Sequence, residues 1–276
     1  MTGQSLCALP PLQRAIGEAR LAVHMIAGRT RLADLYQQGA AKIRFPMAEG
    51  MPLEAVIINT AGGLTGGDRL AVSLNVAEGA HAVIATQACE KIYRAESGQA
   101  VVENTIVVAS AGRCDWLPQE TILFDGAGLK RRLNVTMTGD SYFFGVEALV
   151  SGRSASGETI NTLALHDHIA IRRDGRLIYA DALSLSGPVR SALSRPARGG
   201  GAGAIATVLY AAPDAERRLG EVRDSLAACR SETGASAVNG LLAMRFVAAN
   251  AVDLRRDLIA VVTAWRGCDM PRAWMI

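Results

Sequence analysis

Four carboxylates, one histidine pair and one glycine-rich corner are the places in this 276-residue chain where residue type and spacing could support chemistry. The corner is Asn59-Thr60-Ala61-Gly62-Gly63-Leu64-Thr65-Gly66-Gly67-Asp68, directly after the apolar run Ala55–Ile58. Glycine pairs permit positive φ and close backbone approach, so one reading is a cradle for a nucleotide or phosphate between Gly62 and Asp68, which would make the chain an enzyme. A phosphate loop needs Lys and then Ser or Thr after its last glycine, and a dinucleotide fingerprint needs a helix. Here Leu70-Ala71-Val72-Ser73-Leu74 continues as a strand. The favoured reading is a tight β-corner in which Asp68 caps the turn, with its carboxylate open to a second role.

His166-Asp167-His168 falls in an apparent strand, where the two-residue period puts both imidazoles on one face, as a metal pair requires. Two ligands do not close a site, and an exposed polar strand end, in keeping with the flanking Asn161-Thr162 and Arg172-Arg173, accounts for the same pattern. Serine chemistry has no support, because Ser151-Gly152-Arg153-Ser154 does not form a strained nucleophile elbow.

Carboxylates on apolar strand faces say more. In Leu177-Ile178-Tyr179-Ala180-Asp181-Ala182-Leu183-Ser184-Leu185 the alternation places Asp181 among Leu177, Tyr179, Leu183 and Leu185. The same parity in Phe143-Phe144-Gly145-Val146-Glu147-Ala148-Leu149 puts Glu147 beside Phe143 and Leu149. An ionised carboxylate is costly to bury without a partner or a cation, so either an arginine, with Arg153 and Arg176 as candidates, or a cation is expected to face each. Glu158 closes the loop that begins at Gly152 and fits ordinary turn chemistry as well as a ligand role.

The elements that must position these groups read as strands from Leu53 to about Leu185, rich in Val, Ile and Thr and punctuated by glycine turns. Three segments share a strand-turn-strand layout around Glu78-Gly79-Ala80, Ser110-Ala111-Gly112 and Thr138-Gly139-Asp140, which predicts successive hairpins. The expected fold class is mainly β, with many short antiparallel strands in stacked sheets and a few helices, mostly C-terminal. Arg195–Ala204, with Pro196 and Gly199-Gly200-Gly201, reads as a flexible surface loop. Beyond it the pattern predicts a strand at Ala204–Tyr210, a helix at Asp214–Arg230 capped by Asp214, a strand at Leu241–Ala248 and a helix at Ala251–Arg266. The organisation expected is one domain over 1–276, with a β-rich part (20–194), the loop (195–204) and a mixed part (205–276).

Composition narrows the function class. Half of the residues are hydrophobic and a fifth charged, enough for a sizeable core. Twenty-nine basic and 26 acidic residues are interspersed to a net charge of +3, with no basic tract or aromatic interleaving, which argues against nucleic acid. Cys7, Cys89, Cys114, Cys229 and Cys268 include no CxxC pair, so neither a structural zinc site nor a disulfide framework is expected. No apolar run approaches the ~18 residues of a membrane span, and Met1-Thr2-Gly3-Gln4-Ser5 opens without a basic region before an apolar one, which favours a cytoplasmic location.

Set side by side, several strings resemble the UreD family of urease accessory proteins, called UreH in some systems. They run in order from Gly17-Glu18-Ala19, Thr30-Arg31-Leu32 and Tyr36-Gln37-Gln38-Gly39 through Gly66-Gly67-Asp68 and Ala88-Cys89-Glu90-Lys91-Ile92-Tyr93-Arg94. Trp116-Leu117-Pro118-Gln119-Glu120-Thr121-Ile122-Leu123-Phe124-Asp125-Gly126-Ala127, Gly152 to Glu158, and Pro271-Arg272-Ala273-Trp274 follow. The resemblance implies a non-enzymatic, β-rich scaffold with no tightly bound cofactor. Its implied partners are the urease apoprotein subunits, a helical UreF-type protein and a UreG-type GTPase, and nickel would pass transiently through an internal tunnel. A path lined by Asp68, Glu147, Glu158 and Asp181 would suit nickel's preference for carboxylate and water ligands. Asp181 departs from the longer glutamate that the resemblance leads one to expect there, and His166 and His168 lie outside the matching strings.

Overall fold

The computed structural model describes residues 13–46, 52–152, 157–195 and 198–275. Arg153, considered above as an ion-pair partner, Cys7 and Pro196 lie outside the described residues.

Two stacked sheets carry the fold. Chain order gives β1 (Ile16–Ile26), β2 (Arg29–Gly39), β3 (Ala41–Arg44), β4 (Leu53–Asn59), β5 (Arg69–Val76), β6 (His81–Thr86), β7 (Glu90–Ile92), β8 (Ala100–Val108) and β9 (Arg113–Leu117). It continues with β10 (Thr121–Leu123), β11 (Ala127–Met137), β12 (Tyr142–Ser151), β13 (Thr162–Arg173), β14 (Arg176–Pro188), β15 (Ala204–Ala211), β16 (Glu232–Val238) and β17 (Leu241–Ala248). The first sheet has the order β14-β13-β11-β8-β5-β1-β2, and the second β16-β17-β15-β12-β9-β6-β4-β3, with β10 and β7 attached beside β12.

Mainly β, stacked sheets and few helices therefore hold, but the expected hairpins do not. β5 pairs in parallel with β1 and β8, and β11 in parallel with β8 and β13. In the second sheet β6 is parallel to β4 and β9, and β9 to β12. Each glycine turn carries the chain out of one sheet and into the other: Glu78-Gly79-Ala80 joins β5 to β6, Ser110-Ala111-Gly112 joins β8 to β9, and Thr138-Gly139-Asp140 joins β11 to β12. Successive coils stack, and the turns stack with them, as in Gly79 N to Ser110 O at 3.0 Å and Tyr142 N to Gly112 O at 2.9 Å. A hairpin and a sheet-crossing arch need the same alternation and the same turn residues, so sequence pattern does not tell them apart. Antiparallel pairing is confined to the flanks: β1 with β2, β3 with β4, β13 with β14, and the succession β12, β15, β17 and β16.

Burial follows from this layering. Residues that face between the sheets, among them Leu21, Val72, Leu129, Phe143 and Leu165, form one core. The other face of β12, β15 and β17, with Phe144, Val146, Val208, Met244 and Phe246, forms a second core under two helices, α1 (Leu219–Leu226) and α2 (Ala251–Arg266). β12 is thus buried on both faces and reads as a continuous apolar run, as a central strand must. Asn250 caps α2 by accepting from Asp253 N at 2.9 Å, and Gly267 ends it in the left-handed conformation. Asp214 is not the cap of the preceding helix: its side chain accepts from the Tyr210 hydroxyl, a 3-10 turn (Ala215–Arg218) intervenes, and α1 is shorter than expected.

Glycine is indispensable at the corner for two different reasons. Gly62 and Gly67 have φ of 74° and 89°, whereas Gly66 is needed because a Cβ there would lie 2.0 Å from the carbonyl oxygen of Ser97. A Cβ on Gly62 meets nothing within 4 Å. Gly62→Ala is accordingly expected to cost about 1–2 kcal/mol of backbone strain. Gly66→Ala, which must move backbone, is expected to cost at least about 3 kcal/mol. Chemical denaturation of the two variants checks the order, and equal losses would contradict it.

Candidate functional site

The interior between the sheets is not wholly apolar. On β11, Arg131 alternates with Leu129 and Leu133 and so points inward, and on β13 its register partner Asp167 alternates with Leu165 and Ile169. The pair is bidentate, Nε to Oδ1 at 2.9 Å and Nη2 to Oδ2 at 2.6 Å. Across the gap, β12 supplies Glu147, whose Oε2 lies 2.7 Å from Arg131 Nη1 and whose Oε1 accepts from the Trp116 indole at 2.8 Å. Arg131 and Glu147 are each 6% exposed, so the charges meet with little solvent to screen them.

A second ion pair lies alongside. Arg245 on β17 reaches Asp181 Oδ2 at 2.7 Å, Thr207 Oγ1 at 2.6 Å and the Tyr179 hydroxyl at 3.1 Å. Glu147, Thr207 and Arg245 are register neighbours on β12, β15 and β17, which places both ion pairs against one cavity of about 180 Å³. A second cavity of about 190 Å³ has an apolar floor that includes Leu70, Val72 and Leu129 and polar groups that include Cys89, Glu90 and Gln119. Arg131 and Glu147 line both cavities, which adjoin at this pair.

Electrostatics sharpen this picture. Burial opposes the Arg131 charge, but Asp167 and Glu147 more than offset it and hold the guanidinium above its ordinary pKa. Burial pushes the Glu147 carboxyl up, against the opposing pull of Arg131 and the Trp116 indole. In the buried triad, two carboxylates facing one guanidinium leave one net negative charge. At the edge of the larger cavity, burial and the neighbouring Glu120 carboxylate push the Cys89 thiol up to about 12, which makes it a poor ligand at neutral pH. Glu120 is held by Arg255 of α2 at 2.7 Å, and Arg255 also donates to the Trp274 carbonyl at 2.7 Å. The C-terminal turn is thereby tied to the cavity rim.

The four carboxylates proposed from sequence divide into three places. Glu147 and Asp181 line the same cavity, and the arginines facing them are Arg131 and Arg245, not Arg153 or Arg176. Asp68 sits in the glycine corner, where Oδ1 accepts from Ala15 N at 2.8 Å and Oδ2 from Thr65 N at 2.7 Å. Glu158 accepts from Asp125 N at 3.3 Å at the far end of the loop. The corner's amides are committed within the protein: Gly62 N to Asn59 O, Leu64 N to Lys91 O, Gly67 N to Gln99 O and Asp68 N to Thr65 O. That geometry is a β-corner followed by a strand, and it offers few free donors to a phosphate. His166 and His168 are exposed on the outer face of β13 beside Lys130 and Arg132, with His166 Nδ1 3.0 Å from Ser184 Oγ. Among the described residues no group of three or more His, Cys, Asp or Glu side chains could hold a metal ion.

Sequence reasoning missed Arg131, Asp167, Trp116 and Arg245. Parity was the available signal for the first two: Arg131 was hidden in Lys130-Arg131-Arg132, and Asp167 has the opposite facing to the two histidines that drew attention. Parity misled only at Leu177, which is 46% exposed while Ile178 is 8%, because the register with β13 skips Ile178.

The model of the UreD urease accessory protein family matches residues 15–275. A urease accessory protein UreD of Azorhizobium caulinodans is 46% identical over 267 residues, which cover 97% of this chain and 98% of the relative. One from Rhizobium leguminosarum bv. viciae is 50% identical, covering 95% and 96%, and one from Sinorhizobium medicae is 44% identical, covering 99% and 100%. The chain belongs to the UreD family of urease accessory proteins. Its role is an accessory one in urease maturation. No helix among the described residues is long and apolar enough to cross a membrane.

The raised pKa of Glu147 has a testable sign. An acid that binds its proton more tightly in the folded state contributes stability below its unfolded value, near the ordinary 4.5, and that contribution falls as pH rises through the folded value. Wild type should therefore exceed Glu147→Gln in unfolding free energy by more at pH 5 than at pH 8. Urea denaturation across that range measures the gap, and a gap that widens with pH would contradict the assignment.

Proposed function

We propose that the chain is a non-catalytic scaffold that holds the urease apoprotein together with UreF-type and UreG-type partners and lines an internal route by which nickel reaches urease. The observation that carries the nickel half is the inward-facing carboxylate set of Glu147, Asp167 and Asp181 on a cavity between two β-sheets. Family membership supports the accessory half. Nickel(II) accepts carboxylate and water ligands, and a route should bind it weakly at each station so that the ion moves on. Carboxylates already engaged by arginine suit that requirement better than a closed ligand cage would. GTP hydrolysis is assigned to the UreG-type partner, in keeping with the absence here of a phosphate loop. In this reading Asp68 and Glu158 act as structural acids at the corner and the loop.

Deleting the gene should abolish activation of co-expressed urease in nickel-replete medium, and retained activation would sink the scaffold reading. Glu147→Ala combined with Asp181→Ala should lower urease activation while the complex with urease still co-purifies. Wild-type activation in that double variant would remove these two residues from the route. A thermal shift with GTP, ATP or NAD would favour instead a nucleotide-binding role for the corner from Gly62 to Asp68.

A further inference from the structure

The two cavities adjoin at a cationic side chain, and its charge resembles that of the proposed cargo. Arg131 reaches Glu147 from β12 and Asp167 from β13, and a bond to a third partner, from Nη1 to Thr121 Oγ1 at 3.1 Å, turns its head toward the larger cavity. We propose that Arg131 is an exchangeable plug: it occupies the Glu147–Asp167 carboxylate pair in the resting chain, and a divalent cation passes between the two cavities by taking its place. This rests on reading the interior as a nickel route and deepens it by naming the step at which the route opens.

Three observations carry the inference. First, Arg131 and Glu147 are common to the linings of both cavities, so movement of one head group joins about 190 Å³ to about 180 Å³. Second, the charge balance favours exchange. With Arg131 in place the triad holds one net negative charge, and a dication in its place brings the Glu147–Asp167 pair to neutrality. Third, the carboxylates come from different sheets, β12 and β13, and Trp116 already orients Glu147 by its indole N–H. Two carboxylates from opposite walls, plus water, form an incomplete coordination shell. The returning guanidinium competes with the ion, so apparent affinity falls by the fraction of chains in which the plug is withdrawn. Release is thus built into the site. Arginine suits the resting occupant because it keeps its charge when buried and its planar fork spans two carboxylates, which lysine cannot do.

The test uses the full-length purified chain and nickel chloride alone, with magnesium chloride as comparator. Arg131→Met should lower the unfolding midpoint by roughly 10 °C, because two buried carboxylates lose their partner. Added nickel should restore roughly half of that loss once its free concentration is about 100-fold above the dissociation constant, with magnesium weaker. Wild type should shift far less, and adding Glu147→Gln and Asp167→Asn to Arg131→Met should remove the nickel response. Arg131→Lys, whose single ammonium cannot bridge both acids, keeps the test open if Arg131→Met is unstable, and should give an intermediate response. The proposal is overturned if either folded variant responds to nickel no more than wild type, if the response survives loss of both carboxylates, or if both variants stay unfolded with nickel present. A silent Arg131→Met in a chain still needed for urease activation would remove the plug alone. A nickel-responsive variant in a chain that urease does not need would leave the exchange site and remove the scaffold reading.

Discussion

A single guanidinium buried between two sheets is the constraint around which the rest of this structure is arranged. Arg131 cannot be placed there without acids on both walls, and the walls come from successive strands in opposite sheets: β13 for Asp167 and β12 for Glu147. Parallel stacking of the coils makes this possible. Because β11 lies in register beside β13, Arg131 and Asp167 are neighbours on one face, and the arch from β11 to β12 returns the chain to the opposing sheet with Glu147 facing them. A one-residue slip in either strand would turn a charge outward and a leucine with it. Register here is fixed by electrostatics as well as by apolar burial.

The C-terminal part protects this arrangement from the other side. Strands β15 and β17 extend the second sheet, so the sheet that carries Glu147 is covered on its far face by α2, with Leu254, Leu258, Val261 and Val262 buried. The same helix sends Arg255 to Glu120 and to the Trp274 carbonyl, while the Trp274 indole donates to Leu117 O at 2.8 Å. The chain's last described turn therefore braces β9 and the approach to β10, the segment that also contributes Thr121 to Arg131. The interior cluster and the C-terminal turn are linked through contacts of ordinary length.

What could be read from sequence follows from which interactions are local. The strands from β4 to β14 and the helix at Ala251–Arg266 announce themselves by period and by caps, since those are decided within a few residues. β2 and β16 do not, because Arg29–Gly39 is largely polar and Glu232–Val238 alternates small residues, and their pairing with β1 and β17 supplies the order that composition lacks. The choice between hairpin and arch is made by long-range stacking, which leaves no mark on either strand. At the site, parity alone identified Glu147 and Asp181 as inward carboxylates. Parity also marks Arg131 as inward, but which acid each arginine meets was not deducible, since Arg245 and Asp181 lie in different sheets and meet only after β14 and β17 face one another.

Stability alone does not account for such a cluster. Replacing a buried ion network with well-packed apolar side chains of similar volume is often neutral or stabilising, because the attraction between buried charges only repays their desolvation. The surrounding core is already built from Leu, Ile, Val and Phe, and the same coils elsewhere close without interior charge, as at Val72, Ile106 and Val135. Charges retained at one level of an otherwise apolar stack, beside two cavities that the same chain could have filled, carry a cost that a purely structural role leaves unexplained. A cluster that must accept and give up a cation would need these features: acids that cannot leave, a counter-charge that can, and unfilled volume on each side into which either can move.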